Sequence, residues 1–161
     1  GVGCTHCHDP LKSEKESARK TEPELCFACH QNVRAQFNLP NHHPLERGAV
    51  ACSDCHDPHA NQHGFLALSS RKEKCFECHT DKRGPFLFEH EADRTDGCVV
   101  CHRPHGSPNR RLLTHRSVRN LCIQCHATPA SHNLSAGSVF RNCLSCHGSI
   151  HGSYIDKRFF R

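Results

Sequence analysis

Every cysteine of this 161-residue chain falls into one five-residue pattern, Cys-x-x-Cys-His, which occurs seven times. We number these copies motif 1 to motif 7 in chain order. Their cysteines are Cys4 and Cys7, Cys26 and Cys29, Cys52 and Cys55, Cys75 and Cys78, Cys98 and Cys101, Cys122 and Cys125, and Cys143 and Cys146. Their closing histidines are His8, His30, His56, His79, His102, His126 and His147. Because the motifs use all the cysteines, whatever they bind decides how the chain can fold.

Cys-x-x-Cys-His is the attachment signature of c-type haem, in which two thiols add to the vinyl groups and the histidine becomes the proximal iron ligand. Positions i, i+3 and i+4 share one face of a helical turn, so all three side chains can address one porphyrin. Zinc ribbons and disulfide frameworks also use paired cysteines, but neither needs a histidine after each pair. The sequence therefore predicts seven covalently bound haem c groups.

The composition agrees with an interior filled by cofactors. Leu, Ile, Val and Phe make up 31 of the 161 residues, which is below the roughly 20% that a chain normally needs to build a core. Successive motifs begin 21 to 26 residues apart, so the chain is an internal repeat of about 23 residues per haem. We expect a single domain over residues 1–161: mostly irregular coil with short α-helices, and little or no β-structure, wrapped around seven closely spaced haems.

Local signals predict where some of these helices begin and end. Capping-box spacing predicts helix starts at Thr21 to Glu24 and at Ser70 to Glu73. The polar segment 12–24 is expected to be a solvated helix or a linker. Prolines two residues after a proximal histidine should end the local helix at Pro10, Pro58 and Pro104.

A second strong ligand closes a haem iron to substrates and leaves electron transfer as its role. The chain has no methionine, so bis-histidine ligation with comparatively low potentials is expected. Of the ten histidines outside the proximal positions, we predict seven distal iron ligands: His42, His43, His59, His90, His105, His132 and His151. The surplus histidines are His6, His63 and His115, any of which could replace a chosen ligand, and the pairing of ligands is not readable from the sequence.

The formal charge of +5 does not describe the loaded protein. Each ferric bis-histidine haem adds about −1, which brings the total to about −2. The basic residues are therefore expected to pair with propionates or to be solvated, and no nucleic-acid partner is expected. No apolar run approaches the roughly 18 residues of a membrane span, so none is predicted.

From about residue 41 onward the chain resembles the DmsE/MtrA family of periplasmic decahaem c-type cytochromes. The segments that carry the resemblance are His42-His43-Pro44, residues 52–59, residues 84–90, residues 97–107, Leu112-Leu113, residues 121–126 and residues 150–153. The resemblance implies an elongated haem wire with distal ligands at His59, His90, His105 and His151. This chain has seven motifs rather than ten, and Leu11 stands where a second histidine would follow motif 1. It resembles a shortened relative.

These features predict an electron-transfer protein without substrate chemistry of its own. Covalent haem attachment places it in the periplasm or outside the cell, after removal of a signal peptide. Its expected partners are redox proteins, with a quinol-oxidising membrane donor and an outer-membrane or extracellular acceptor. One alternative is a subunit that associates end to end into an extracellular cytochrome filament. Another is a multihaem reductase that acts on nitrite or hydroxylamine at one five-coordinate haem.

Overall fold

The computed structural model describes residues 2–13, 16–59, 68–127 and 142–160. Within these ranges the chain is mostly irregular, and its longest helix has nine residues. The α-helices are α1 (Glu24–Phe27), α2 (Gln31–Phe37), α3 (Leu68–Phe76), α4 (Glu91–Asp96) and α5 (Val118–Cys122). No strand occurs in the described ranges. The prediction of short helices in irregular chain with little or no β-structure is confirmed.

Antiparallel contact between distant segments is limited to isolated bridges. In the described part of the chain these join His8 to Ala18, Asn41 to Ser107, Phe88 to Ser153, and His102 to Leu113. Two of them fold a motif onto the loop that follows it, and the other two join segments more than 60 residues apart. Such bridges give the chain tertiary connections without a sheet.

All seven motifs share one backbone turn. In each, the histidine N–H donates to the carbonyl of the first cysteine at 2.9–3.0 Å. This i to i+4 bond places the two cysteines and the histidine on one side of the turn, as their spacing predicts. The attachment residues are thus oriented locally, before any tertiary contact is made.

The motifs nevertheless alternate between two local structures. Motifs 1, 3, 5 and 7, the odd motifs, begin as single 3-10 turns at Cys4–His6, Cys52–Asp54, Cys98–Val100 and Cys143–Ser145. Motifs 2, 4 and 6, the even motifs, begin in the last turns of α1, α3 and α5. Odd motifs start 48, 46 and 45 residues apart and even motifs 49 and 47. The 23-residue sequence repeat is therefore a structural repeat of two motifs.

The odd-motif turns have ended before the prolines that follow them, as predicted. Both predicted helix starts are wrong in detail. Helix α1 begins at Glu24 with Pro23 at its N-cap and no capping side chain, so Thr21 does not cap it. Helix α3 already includes residue 68, so Ser70 lies inside it. In both places the helix begins at a residue that the capping-box spacing does not pick out.

The segment after motif 1 is more than a solvated linker. Ser17 Oγ lies 2.9 Å from Nδ1 of His8, and the backbones of His8 and Ala18 form a bridge.

We call such a segment, which turns back onto an odd motif, a return loop. Residues 109–114 form the return loop of motif 5 and residues 155–160 that of motif 7, where Arg103 N–H donates to Leu112 and Ser149 N–H to Phe159.

Apolar side chains supply very little of the interior. In the described ranges the buried apolar side chains are Phe27 and Phe76, each 6% exposed. Each lies one residue after the first cysteine of an even motif, where it would face a porphyrin attached there. Two phenylalanines cannot offset the conformational entropy of ordering a chain of this length.

We therefore predict that the polypeptide made without haem attachment does not fold. Its circular dichroism should show little helix and no cooperative thermal transition, because the haems supply most of the apolar surface. The haem-loaded protein, measured in the same buffer, should melt in a defined transition. A sharp melting transition of the haem-free chain would contradict this prediction.

Candidate functional site

The structure brings proximal and predicted distal histidines together in pairs. Each of five pairs joins one motif histidine to one histidine outside the motifs, with the ring centroids 5.9–6.4 Å apart. The pairs are His8 with His59, His56 with His105, His79 with His43, His102 with His151, and His126 with His90. In none of them are both members motif histidines, although nothing in the local sequence forces that outcome.

This spacing fits two ligands of a single iron. A metal–nitrogen bond to histidine is about 2 Å, and the ring centre lies about 1 Å behind the nitrogen, so trans imidazoles have centroids about 6 Å apart. The interplanar angles range from 20° to 61°, which axial ligation permits because both rings stand upright on the porphyrin. The donor set therefore fits bis-histidine haem at five motifs.

The pairs follow a fixed register along the chain. In the odd motifs the partner lies 51, 49 and 49 residues after the proximal histidine, just beyond the motif two further on. In motifs 4 and 6 the partner lies 36 residues before the proximal histidine. This regularity follows the two-motif repeat and gives the histidine pairs a structural rule.

Hydrogen bonds at Nδ1 fix how several of these rings are presented. Nδ1 lies 2.7 Å from the Pro104 carbonyl in His43 and 2.8 Å from the Arg111 carbonyl in His102. A carbonyl can only accept, so Nδ1 carries the proton and Nε2 keeps its lone pair for a metal. The return loops of motifs 5 and 7 thus orient the proximal ring, since Nδ1 of His147 donates in the same way to Arg158.

Burial keeps three of the predicted distal ligands neutral. The pKa values of His90, His105 and His151 are lowered, first by desolvation and then by neighbouring positive or imidazole groups. Iron binds the neutral imidazole, so a lowered pKa favours the ligating form. At neutral pH these rings need not lose a proton to bind metal.

Thiols of neighbouring motifs influence one another. The sulfurs of Cys26 and Cys52 lie within 4.8 Å of each other, and the interaction between Cys75 and Cys98 raises the pKa of the first and lowers that of the second. After burial, Asp54 and then Cys78 raise the pKa of Cys55, and Cys125 raises that of Cys101.

A carboxylate lies at the contact between motifs 2 and 3. The oxygen of Glu22 and the sulfurs of Cys26 and Cys52 all lie within 4.8 Å of one another, and Glu22 accepts a hydrogen bond from Ser53 N–H at 3.0 Å. At the matching contact between motifs 4 and 5, Asp93 is instead ion-paired with Lys72 at 3.4 Å. The two junctions therefore differ in local charge.

Motifs 2 and 7 are not among these five pairs. His30 of motif 2 has no imidazole in ring contact in the described ranges, and His42 packs edge-on against Phe37, with Nδ1 2.9 Å from the His43 carbonyl. His147 of motif 7 contacts the ring of Phe160 at 4.8 Å. His132 and the surplus His63 lie outside the described residues. The assignment of all seven distal ligands, His42 and His132 included, stays a prediction.

The other surplus histidines make local contacts. His6 is exposed within the turn of motif 1, where its Nδ1 lies 3.1 Å from the Gly3 carbonyl. His115 lies within hydrogen-bonding distance of Thr114 and Gln124. Neither ring faces a proximal histidine in the described part of the chain.

Comparison with known proteins assigns the class. A family model described as "Doubled CXXCH motif" matches residues 1–35, 42–84 and 90–131, and each match spans one odd motif and the even motif after it. The protein is a multihaem c-type cytochrome with covalently bound haems. It belongs to the doubled CXXCH motif family, whose unit is the same two-motif repeat that the structure contains.

A curated relative supports this class. The chain is 40% identical over 61 residues to the multiheme cytochrome MtrA of Shewanella baltica (strain OS185). The alignment covers 37% of this chain and 18% of MtrA, so the chain spans less than a fifth of that relative. No helix in the described ranges has the length and apolar character required to cross a membrane.

Sequence reasoning missed three features of the site. It did not recognise the alternation of motifs, which the different residues before odd and even motifs already signal. It gave no role to Glu22, because only the fold brings Glu22 to motif 3. It also used the His-Gly-Ser segments after motifs 5 and 7 only for the family resemblance and gave their glycine and serine no role.

The observed pairs predict which haem each distal histidine serves. His105→Ala should give one high-spin ferric haem in the electron paramagnetic resonance spectrum, because the iron loses one imidazole. That haem should be the one attached at motif 3. Adding Cys52→Ser and Cys55→Ser to His105→Ala should therefore remove the high-spin signal. His6→Ala is the matched control and should leave the spectrum low-spin. Persistence of the signal in the combined variant would contradict the pairing.

The carboxylate of Glu22 predicts a change in the reduction potential of a neighbouring haem. Glu22→Gln should raise the reduction potential of a haem at motif 2 or 3. A nearby negative charge disfavours the reduced haem, which carries one more electron, so removing that charge makes reduction easier. Spectroelectrochemical titration measures this shift. Glu24→Gln removes the same charge from a side chain that is 54% exposed and paired with Arg34, and should leave the titration nearly unchanged. Equal curves for wild type and Glu22→Gln would refute the role of Glu22.

Proposed function

We propose that this protein is an electron-transfer protein in which seven bis-histidine haems form a linear wire. The observation that carries the proposal is the set of five proximal–distal histidine pairs at axial distance. A haem iron with two imidazole ligands exchanges electrons and has no open position for a substrate. The chain's own residues hold the axial rings, orient them through Nδ1 and keep consecutive motifs in contact.

The order of the motifs supports transfer along the whole chain. Thiols of consecutive motifs act on one another's pKa from motif 1 to motif 7. The sulfurs of Cys26 and Cys52 lie within 4.8 Å of each other, so cofactors tethered there would lie close together. Short separations favour electron exchange without a moving carrier.

We place the protein in the periplasm or outside the cell, in respiratory or extracellular electron transfer. Thioether attachment of haem to an exported chain and the resemblance to the DmsE/MtrA family support this location. The partners proposed on the same grounds are a quinol-oxidising membrane protein as donor and an outer-membrane or extracellular redox protein as acceptor. The protein itself is proposed not to be an enzyme.

The alternatives have less support from the contacts. A reductase needs an iron with an open position, whereas five proximal histidines already face a second imidazole. A filament subunit needs an exposed association surface, whereas the ring of Phe159 lies against His90 and that of Phe160 against His147 within the chain. These aromatic residues thus pack over neighbouring histidines of their own chain.

The proposal predicts seven haems per chain in a pyridine haemochrome assay, one for each motif. The ferric spectrum should be low-spin, and redox titration should show potentials below those of histidine–methionine cytochromes, because imidazole is the only second ligand available. Reduced protein should pass electrons to a soluble ferric complex without turning over nitrite or hydroxylamine. A stoichiometric high-spin haem together with nitrite or hydroxylamine reduction would overturn the proposal in favour of the reductase.

A further inference from the structure

His-Gly-Ser occurs three times in the chain, and two of these tripeptides, residues 105–107 and 151–153, lie at matching places in the fold. Each follows an odd motif, and each serine is almost completely buried, with exposed fractions of 0% for Ser107 and 3% for Ser153. These are the buried polar side chains of the described ranges. Burial of a polar side chain is costly unless its hydrogen bonds are made, so these serines have specific partners.

Each serine joins a distant segment through both of its backbone groups. Ser107 N–H donates to the Asn41 carbonyl at 2.8 Å, and Asn41 N–H donates to the Ser107 carbonyl at 3.2 Å. Ser153 and Phe88 exchange the same two bonds at 2.9 Å each. Both bridges are antiparallel. They connect the segment after an odd motif to a segment that lies before another odd motif.

The bridges set two predicted distal ligands side by side. In an antiparallel pair, the residue two before one partner lies opposite the residue two after the other. Continued by two residues, the register of these bridges would set His105 opposite His43 and His151 opposite His90. The contact of His43 Nδ1 with the Pro104 carbonyl at 2.7 Å is consistent with this register. Each bridge thus brings together two rings that belong to different pairs.

The rings brought together by one bridge serve neighbouring motifs. His105 pairs with the proximal histidine of motif 3, and His43 with that of motif 4. In the second bridge, His151 pairs with motif 5 and His90 with motif 6. One pair of backbone hydrogen bonds therefore sets the distal ligands of two consecutive haems.

The serine hydroxyl extends this connection to the chain that follows. Ser107 Oγ donates to the Leu113 carbonyl at 2.6 Å and accepts from Asn109 N–H at 3.0 Å. Ser153 Oγ accepts from the N–H groups of Ile155 and Asp156 at 3.2 and 3.1 Å. These bonds start the return loops, which supply the carbonyls that hold His102 and His147.

Glycine is required where the segments meet. A Cβ on Gly106 would lie 2.0 Å from the backbone oxygen of Gln36, and a Cβ on Gly152 would lie 2.1 Å from the ring of Phe86. Gly152 also has a φ of +153°, which other residues rarely adopt. At Gly106 the obstacle is backbone, so an added methyl group must push the two segments apart.

We propose that the tripeptides 105–107 and 151–153 are positioning clips that hold the distal histidines of two adjacent haems, those of motifs 3 and 4 and those of motifs 5 and 6. This inference rests on the proposed bis-histidine ligation. The serine and glycine touch no iron; they act through the histidines on either side of the bridge. A clip of this kind makes the axial ligation of the two haems interdependent.

The test is Gly106→Ala in the haem-loaded protein, measured by electron paramagnetic resonance. If the bridge opens, both His43 and His105 are displaced, so the high-spin signal should be about twice that of His105→Ala alone. Added imidazole should restore the low-spin spectrum, because the irons are intact. Gly3→Ala is the control, since its Cβ would meet only ordinary van der Waals contact, and it should leave the spectrum unchanged.

Other outcomes separate the clip from the proposed function. A wild-type protein with high-spin haems would refute bis-histidine ligation itself. A low-spin wild type, a high-spin His105→Ala and a low-spin Gly106→Ala would refute only the clip. If Gly106→Ala does not accumulate, Ser107→Ala keeps the backbone bridge but removes the hydroxyl bonds, and should give a smaller imidazole-reversible high-spin fraction. A fully low-spin Ser107→Ala would then overturn the clip.

Discussion

The structure depends on the hydrogen bond that closes each Cys-x-x-Cys-His turn, from the histidine N–H to the first cysteine carbonyl. This bond is purely local, yet it aims two thiols and an imidazole at one porphyrin before the rest of the chain is placed. With two buried phenylalanines as the apolar interior of the described ranges, the attached haems must do what a side-chain core does elsewhere. Under the proposed ligation, the remaining polypeptide has one main task, which is to bring a second imidazole to each iron.

That second imidazole comes from far along the chain, and this converts a string of local turns into a tertiary structure. Partners 36 or about 50 residues apart are joined wherever a pair forms, and closing such loops costs conformational entropy. In the proposed bis-histidine ligation, iron–imidazole bonds would offset that cost. Proximal attachment thus depends only on the five residues of a motif, whereas distal ligation requires that distant parts of the chain have already come together.

This division also explains how far the sequence could be interpreted. The motif turns, the short helices and the proximal ligands follow from local spacing, so they could be predicted. The pairing could not, because His42 and His43 are neighbours with the same surroundings in sequence, yet only His43 lies opposite a proximal ring in the described ranges. Helix starts at Thr21 and Ser70 were mispredicted because capping-box spacing is a weak signal in helices this short. The repeated Gly-Ser after His105 and His151 was visible in the sequence, but its meaning needed the bridges to Asn41 and Phe88.

The alternation of odd and even motifs constrains how a protein of this kind can change length. In motifs 1, 3 and 5 the partner histidine lies just after the next odd motif. In motifs 4 and 6 it lies in the loop before the preceding odd motif. Losing or gaining a single motif would turn every later odd motif into an even one and every later even motif into an odd one. Their proximal histidines would then face the wrong partner histidines. Losing or gaining two adjacent motifs keeps odd motifs odd and even motifs even. The natural increment of such a conductor is therefore a pair of haems, inherited together as one stretch of about 47 residues.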